Sequence, residues 1–158
     1  MKLFLDTNVV LDYLAKRQPF AEDAHHIILE GSLRGWVLCI SALSFTTIDY
    51  VLRKLYDQEQ RIALLTDISN LFTICSVDGT IIQEALCSKF TDFEDAVQYH
   101  TANSCDIDIL ITRNTKDFTH STIPVQSPTE FCNLLKGYSL SDSTPLLNEP
   151  AVPYETHR

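Results

Sequence analysis

Leu3-Phe4-Leu5-Asp6-Thr7-Asn8 is an apolar run that ends abruptly in an acid, a hydroxyl and an amide, and it passes directly into Val9-Val10-Leu11-Asp12-Tyr13-Leu14. Such a run reads as a buried strand that delivers a carboxylate to its own C-terminal end, where the chain turns into a helix. Ligands of open α/β sheets bind in the crevice outside the carboxyl ends of the strands, so Asp6 stands where chemistry is expected.

Working outward, strands and helices alternate. A helix spans Val9 to about Ala15, with Asp12 and Lys16 at i,i+4. A second helix from about Phe20 to Leu33 stops at Gly35, and Trp36-Val37-Leu38-Cys39-Ile40 is a second strand. Ser41 to Ser44 supply capping hydroxyls, and helices fit Phe45 to Tyr56 and Gln58 to Asn70. Leu71-Phe72-Thr73-Ile74-Cys75 is the third strand, followed by a helix from Gly79 to Ser88. Thr91-Asp92-Phe93-Glu94 has the form of a capping box, which makes Thr91 the N-cap of a helix to about Ser104. Ile107 to Ile111 is the fourth strand, and Ile123-Pro124-Val125 a short edge strand. Ser127-Pro128-Thr129-Glu130 caps a last helix to about Lys136. This alternation predicts right-handed crossovers and a three-layer α/β/α fold around a mostly parallel sheet of four to five strands. Residues 1–136 form one domain, and residues 137–158, where Ser, Thr and Pro recur without periodicity, read as a flexible tail.

Composition bounds the function. At 158 residues, 45% hydrophobic and 21% charged, the chain is an ordinary globular domain. No apolar run approaches the ~20 residues of a membrane span, and no signal peptide opens the chain, so the expected location is the cytoplasm. Cys39, Cys75, Cys87, Cys105 and Cys132 are scattered without CxxC spacing and read as buried reduced thiols. A net charge of −9 excludes a broad nucleic-acid-binding surface and suits a carboxylate site for divalent cations or a basic partner.

Three polar sets remain. Asp6 and Asn8 follow the first strand, and Thr112, Arg113, Asn114 and Asp117 follow the fourth; the two sets share a crevice if those strands are neighbours at the switch point. Asp92 and Asp95, at i,i+3, face the same way and repel unless a cation lies between them, and hard oxygen ligands favour Mg²⁺ or Mn²⁺ over zinc. Each residue has a plainer role open to it. Asp6 could cap the following helix, Glu94 fits the capping box, and Asn114 and Asp117 could be turn residues. Asp12, Asp49, Asp57 and Asp67 read as solvated helix positions, and His25, His26, His100 and His120 lack metal-ligand spacing.

Leu5-Asp6-Thr7-Asn8-Val9, Asp92-Phe93-Glu94-Asp95-Ala96-Val97-Gln98, Ile111-Thr112-Arg113-Asn114 with Lys116-Asp117-Phe118, and Ile123-Pro124-Val125 before Ser127-Pro128-Thr129-Glu130-Phe131 occur in that order. Together they resemble the PIN-domain family, most closely the small PIN-domain ribonucleases that act as toxins in bacterial toxin–antitoxin pairs. The resemblance covers residues 1–136. It implies metal-binding acids at Asp6 and Asp95, with Asp117 as a further catalytic acid. Asn8, Asp92, Thr112 and Asn114 would support them, and Arg113 and Lys116 would contact RNA, helped by Lys89, Arg53 and Lys54. The implied reaction is hydrolysis of an RNA phosphodiester with Mg²⁺ or Mn²⁺. The implied partners are RNA, a basic antitoxin and a second copy in a homodimer, with no membrane involved. The chain departs from the family at Thr47, where a Glu is usual, and at Asn114, where an acid is common; Asp49 lies about 200° around the helix from Thr47 and substitutes poorly. Two other classes compete: a PIN-fold binding module whose site no longer cleaves, and a haloacid-dehalogenase-type phosphatase, which normally has a second Asp where this chain has Asn8.

Overall fold

The computed structural model describes residues 1–141, with side-chain environments to residue 137. The chain runs β1 (Lys2–Leu5), α1 (Thr7–Leu14), α2 (Ala21–Leu33), β2 (Val37–Ser41), α3 (Ser44–Leu52), α4 (Gln58–Leu71), β3 (Thr73–Cys75), α5 (Gly79–Cys87), α6 (Phe93–Asn103), β4 (Ile109–Ile111), a 3-10 turn (Thr115–Phe118), β5 (Val125–Gln126) and α7 (Pro128–Ser141). The five strands are all parallel, in the order β3-β2-β1-β4-β5. The expected α/β/α architecture is therefore the observed one.

Period-two alternation sorts the strand side chains into two cores. Leu3, Leu5, Leu38, Ile40 and Ile111 face one side, where Val9, Val10, Ile27, Ile48, Ile68 and Phe131 from α1, α2, α3, α4 and α7 cover them. Phe4, Cys39, Cys75 and Leu110 face the other, against Tyr99 and Ala102 of α6. Ala85 of α5 packs with Ala96 and Val97 of α6 in a smaller cluster. A Cβ on Gly31 would lie 2.7 Å from Leu38 Cδ2, so a glycine inside α2 lets that helix approach β2 closely.

β1 lies at the centre, in register with β2 on one side (Phe4 opposite Cys39) and β4 on the other (Leu5 opposite Ile111). The chain moves outward from β1 through β2 to β3, then returns to β4 on β1's free side. The switch point thus lies between β1 and β4. The Asp6 amide continues the ladder by donating to the Ile111 carbonyl (3.0 Å), which locks the two strand ends side by side.

Several boundaries differ from expectation. α6 is capped by Asp92, which accepts from the Asp95 amide (3.1 Å), so the box expected from Thr91 does not form; the helix begins at Phe93, one residue later than that box requires. Two further caps escaped the sequence reading: the Asp57–Gln60 capping box on α4 and Asp78 on α5, which accepts from the Ile81 amide (3.0 Å). The Ser127–Glu130 box is formed as expected. α3 ends at Leu52 rather than Tyr56, Leu71 belongs to α4, β4 begins at Ile109, and β5 is Val125–Gln126. α7 passes Gly137 to Ser141, further than the expected stop at Lys136, and residues 142–158 of the expected tail lie outside the described residues. Cys39, Cys75 and Cys132 are buried, but Cys87 at the end of α5 is exposed. Among the described residues no helix is long and apolar enough to cross a membrane.

Candidate functional site

Asp6 is almost completely buried, at 3% exposure, and its side chain makes no helix-cap hydrogen bond although it occupies the N-cap position of α1. The capping role is therefore not what holds it. Asn8 Nδ2 donates to Asp6 Oδ2 (2.6 Å) and Thr112 Oγ1 donates to the same oxygen (2.7 Å). Asn8 also reaches Thr112 Oγ1 (3.3 Å), and its Oδ1 accepts from the Arg113 amide (3.3 Å). The Asn114 amide donates to Thr112 Oγ1 (3.1 Å). β1 and β4 thus deliver Asp6, Asn8 and Thr112 into one hydrogen-bonded unit, as expected if the two strands are neighbours.

Asp95 comes to the same place from α6, in the first turn and 8% exposed. Burial pushes its carboxyl up to about 7, and the charges of Asp6, Asp92, Asp117 and Glu94 push in the same direction. Burial raises Asp6 to about 6 against the lowering effect of the Thr112 and Asn8 hydrogen bonds, and Glu94 adds to the rise. Burial and neighbouring carboxylates thus work against the ionised form of both acids, a perturbation that candidate functional sites share. Asp117 stands exposed on the 3-10 turn, its amide donating to the Asn114 carbonyl (2.9 Å).

The remaining expected residues divide. Asp92 spends one oxygen on the α6 cap, Asn114 and Lys116 are exposed, and Thr47 is half-buried on α3. Arg113 is half-buried. Its Nε lies 3.2 Å from Asp12 Oδ2 and its guanidinium carbon 4.4 Å from the Phe20 ring centre. Asp12, read from sequence as solvated, is 0% exposed, because Arg113, with Arg17 at 4.0 Å, supplies its counter-charge inside the fold. Asp49 is likewise half-buried between Arg53 (2.9 Å) and Arg61 (2.8 Å), and Asp57 is a helix cap.

Three buried residues have a role the sequence did not show: Gln98 was not singled out, Thr7 was read only as part of the opening run, and Ser44 only as a capping hydroxyl, whereas α3 has no side-chain cap. Gln98 Nε2 donates to Thr7 Oγ1 (2.9 Å) and to Ser44 Oγ (3.2 Å), and those two hydroxyls are 2.8 Å apart. The signal available was a lone amide one helical turn after Asp95 in the run Ala96-Val97-Gln98-Tyr99; its partners are far away in sequence and could not be read. Glu94, assigned to a capping box, is instead exposed beside the acids.

Comparison with known proteins places this geometry. A family model described as PIN domain matches residues 2–116. Ribonuclease VapC1 of Aquifex aeolicus (strain VF5) is 27% identical over 139 residues, covering 83% of this chain and 93% of that protein. The structure of VapBC-1 from nontypeable Haemophilus influenzae superposes with a TM-score of 0.62 at 20% identity, over 82% of this chain and 99% of that one. A toxin–antitoxin complex from Klebsiella pneumoniae superposes with a TM-score of 0.57 at 26% identity, over 80% and 97% of the two chains. With the family model spanning most of its length and the sheet order, switch-point acids and strand-end turn in place, the chain belongs to the PIN domain family.

Proposed function

We propose that this chain is a divalent-metal-dependent ribonuclease that hydrolyses RNA phosphodiester bonds and acts as the toxin of a toxin–antitoxin pair. The observation that carries the reading is the pairing of Asp6 and Asp95, both buried, both raised in pKa, and neither used as a helix cap. A buried carboxylate pair without a cation is electrostatically costly, which fits a hard ion held between them. Among the described residues no three His, Cys, Asp or Glu side chains form a ready-made metal cage. That donor set suits Mg²⁺ or Mn²⁺, which are commonly bound through one or two carboxylates and keep much of their water. Asp6 and Asp95 would hold the ion, with Asp117 beside it. When bound, the ion supplies activation of water and neutralisation of phosphate charge.

The chain's own residues do the rest. Asn8 and Thr112 both donate to Asp6 Oδ2, which orients the carboxylate and leaves Oδ1 outside that pair of bonds. Arg113 is engaged by Asp12 and Phe20, so the exposed Lys116 and Lys89 are the cations assigned to phosphate contacts. The net charge of −9 suits a basic antitoxin. All of these residues fall inside the unit that the sequence bounds at residue 136.

Incubation of an RNA with the wild type, Asp6→Asn and Asp95→Asn, in Mn²⁺ or Mg²⁺ and in chelator, tests the reading. Cleavage is expected only with metal, and at least about 100-fold slower in either variant, as when a metal centre loses a ligand. Equal cleavage by all three would overturn it. The second reading, a binding module without cleavage, draws on Thr47 and Asn114, which put uncharged side chains where the resemblance expects acids. It is favoured if RNA or a protein partner binds while millimolar Mn²⁺ does not. The phosphatase reading has little to rest on, because Asn8 donates an amide to Asp6 where that chemistry normally has a second acid.

A further inference from the structure

Gln98 is 1% exposed, and Thr7 and Ser44, to which its amide donates, are 4% and 0% exposed. Thr7 is joined by one peptide bond to Asp6 and opens α1; Ser44 opens α3; Gln98 lies one helical turn after Asp95 on α6. One side chain therefore fastens α3 to α1, which follows Asp6, and to α6, which carries Asp95. The Gln98 Oε1 has no hydrogen-bond partner among the described residues. An amide with one end buried and unsatisfied is a poor choice for stability, and an apolar side chain of that length would fill the same space without the desolvation cost. The donors must then serve something other than filling the core.

The charges around it suggest what. Asp6 and Asp95 repel, and Glu94 bears on both. α6 packs on α5 through Ala96 and Val97 and on the sheet through Tyr99 and Ala102, while the hydrogen bonds of Gln98 to Thr7 and Ser44 join it to α1 and α3. A hydrogen-bonded tie between Thr7 and Gln98 spans the gap that the repulsion would open.

We propose that Gln98 is a positioning residue that fixes the separation of Asp6 and Asp95 by clamping the first turns of α1 and α3 to α6 through Thr7 and Ser44. The proposal rests on the metal-dependent reading above. Its test is Mn²⁺ titration by calorimetry on the metal-free full chain, for wild type, Gln98→Met, Thr7→Val and Ser44→Ala, alongside thermal unfolding in chelator. Gln98→Met keeps length and volume but loses both donors. It is expected to weaken Mn²⁺ binding by roughly 10- to 100-fold, as loss of an outer partner does at metal sites, while its metal-free unfolding temperature stays within a few degrees of wild type. Cleavage should fall in kcat with KM for RNA unchanged, because no RNA contact is removed. Gln98→Met combined with Thr7→Val should lose no more affinity than the worse single variant, since both cut one tie. Wild-type Mn²⁺ affinity in Gln98→Met, or a loss no larger than its loss of folded protein, overturns the proposal and leaves the nuclease reading standing. A wild type that neither binds Mn²⁺ nor cleaves RNA overturns both. Should Gln98→Met not fold, the same criteria apply to Thr7→Val and Ser44→Ala, each of which removes one contact of the tie.

Discussion

Asp6 and Asp95 are held in the folded chain with their carboxyls raised to about 6 and about 7, against an ordinary value of 3.8. A carboxyl raised on folding favours the folded state when protonated. Its contribution is complete below the unfolded value and is lost as pH rises through the folded one. The metal-free protein should therefore become less stable between about pH 4 and pH 7, by on the order of 3 kcal/mol from Asp6 at about 1.4 kcal/mol per pKa unit. Divalent ions reverse this, because they compete with the same protons, so stabilisation by Mn²⁺ should be much larger at pH 8 than at pH 5. Urea unfolding across that range, with and without Mn²⁺, measures both effects. Asp6→Asn should remove the Asp6 share of the metal-free slope and leave that of Asp95, while cleavage falls at least about 100-fold, a separation expected of a residue kept for chemistry at a cost in stability. A metal-free profile that rises with pH would contradict the assigned burial of the pair.

At the scale of elements, the turn after β4 is held from two directions. Thr112 donates to Asp6, and the next residue, Arg113, donates its amide to Asn8 and reaches one turn further along α1 to neutralise Asp12. Neither oxygen of Asp12 has a hydrogen-bond partner, so its carboxylate depends on the nearby guanidinium charges, and burial raises its pKa even so. Arg113→Met should destabilise the chain by about 3–5 kcal/mol, the usual result of stripping one partner from a buried ion pair, and Asp12→Leu added to it should recover most of the loss. Additive losses in the two variants would mean that the pair is not coupled. This pair also shows what the sequence could and could not tell. The apolar runs at 3–5, 37–40 and 109–111 read as strands because a buried parallel strand leaves a local imprint. Asp12 read as solvated because its local neighbour is Lys16, whereas its real partner arrives from the far end of β4. The helix caps slipped for a related reason: Thr91 and Asp92 both have capping side chains and an acid three residues on, and backbone direction alone decides between them. The candidate acids were legible as a motif, while the joining of Gln98 to Thr7 and Ser44 was not, since those hydrogen bonds link residues 91 and 54 positions apart.

Across the whole molecule, the strand order puts β1 in the middle of the sheet, with hydrogen-bonded neighbours on both sides. The groups assigned to the metal are thus carried on supports of unequal firmness. Asp6 is anchored at the end of the central strand. Asp95 lies in the first turn of a helix capped by one side chain, and Asp117 on an exposed 3-10 turn. Backbone amides at the centre of a sheet exchange with solvent only through large-scale opening, whereas first turns and short 3-10 segments exchange through local fraying. A cation bridging these groups would leave exchange at Phe4 and Leu5 governed by global stability. It would slow the amides of residues 94–97 and 115–118 well beyond any global effect. The resulting map of deuterium uptake would mark the ion's position by the parts of the chain it brings to rest.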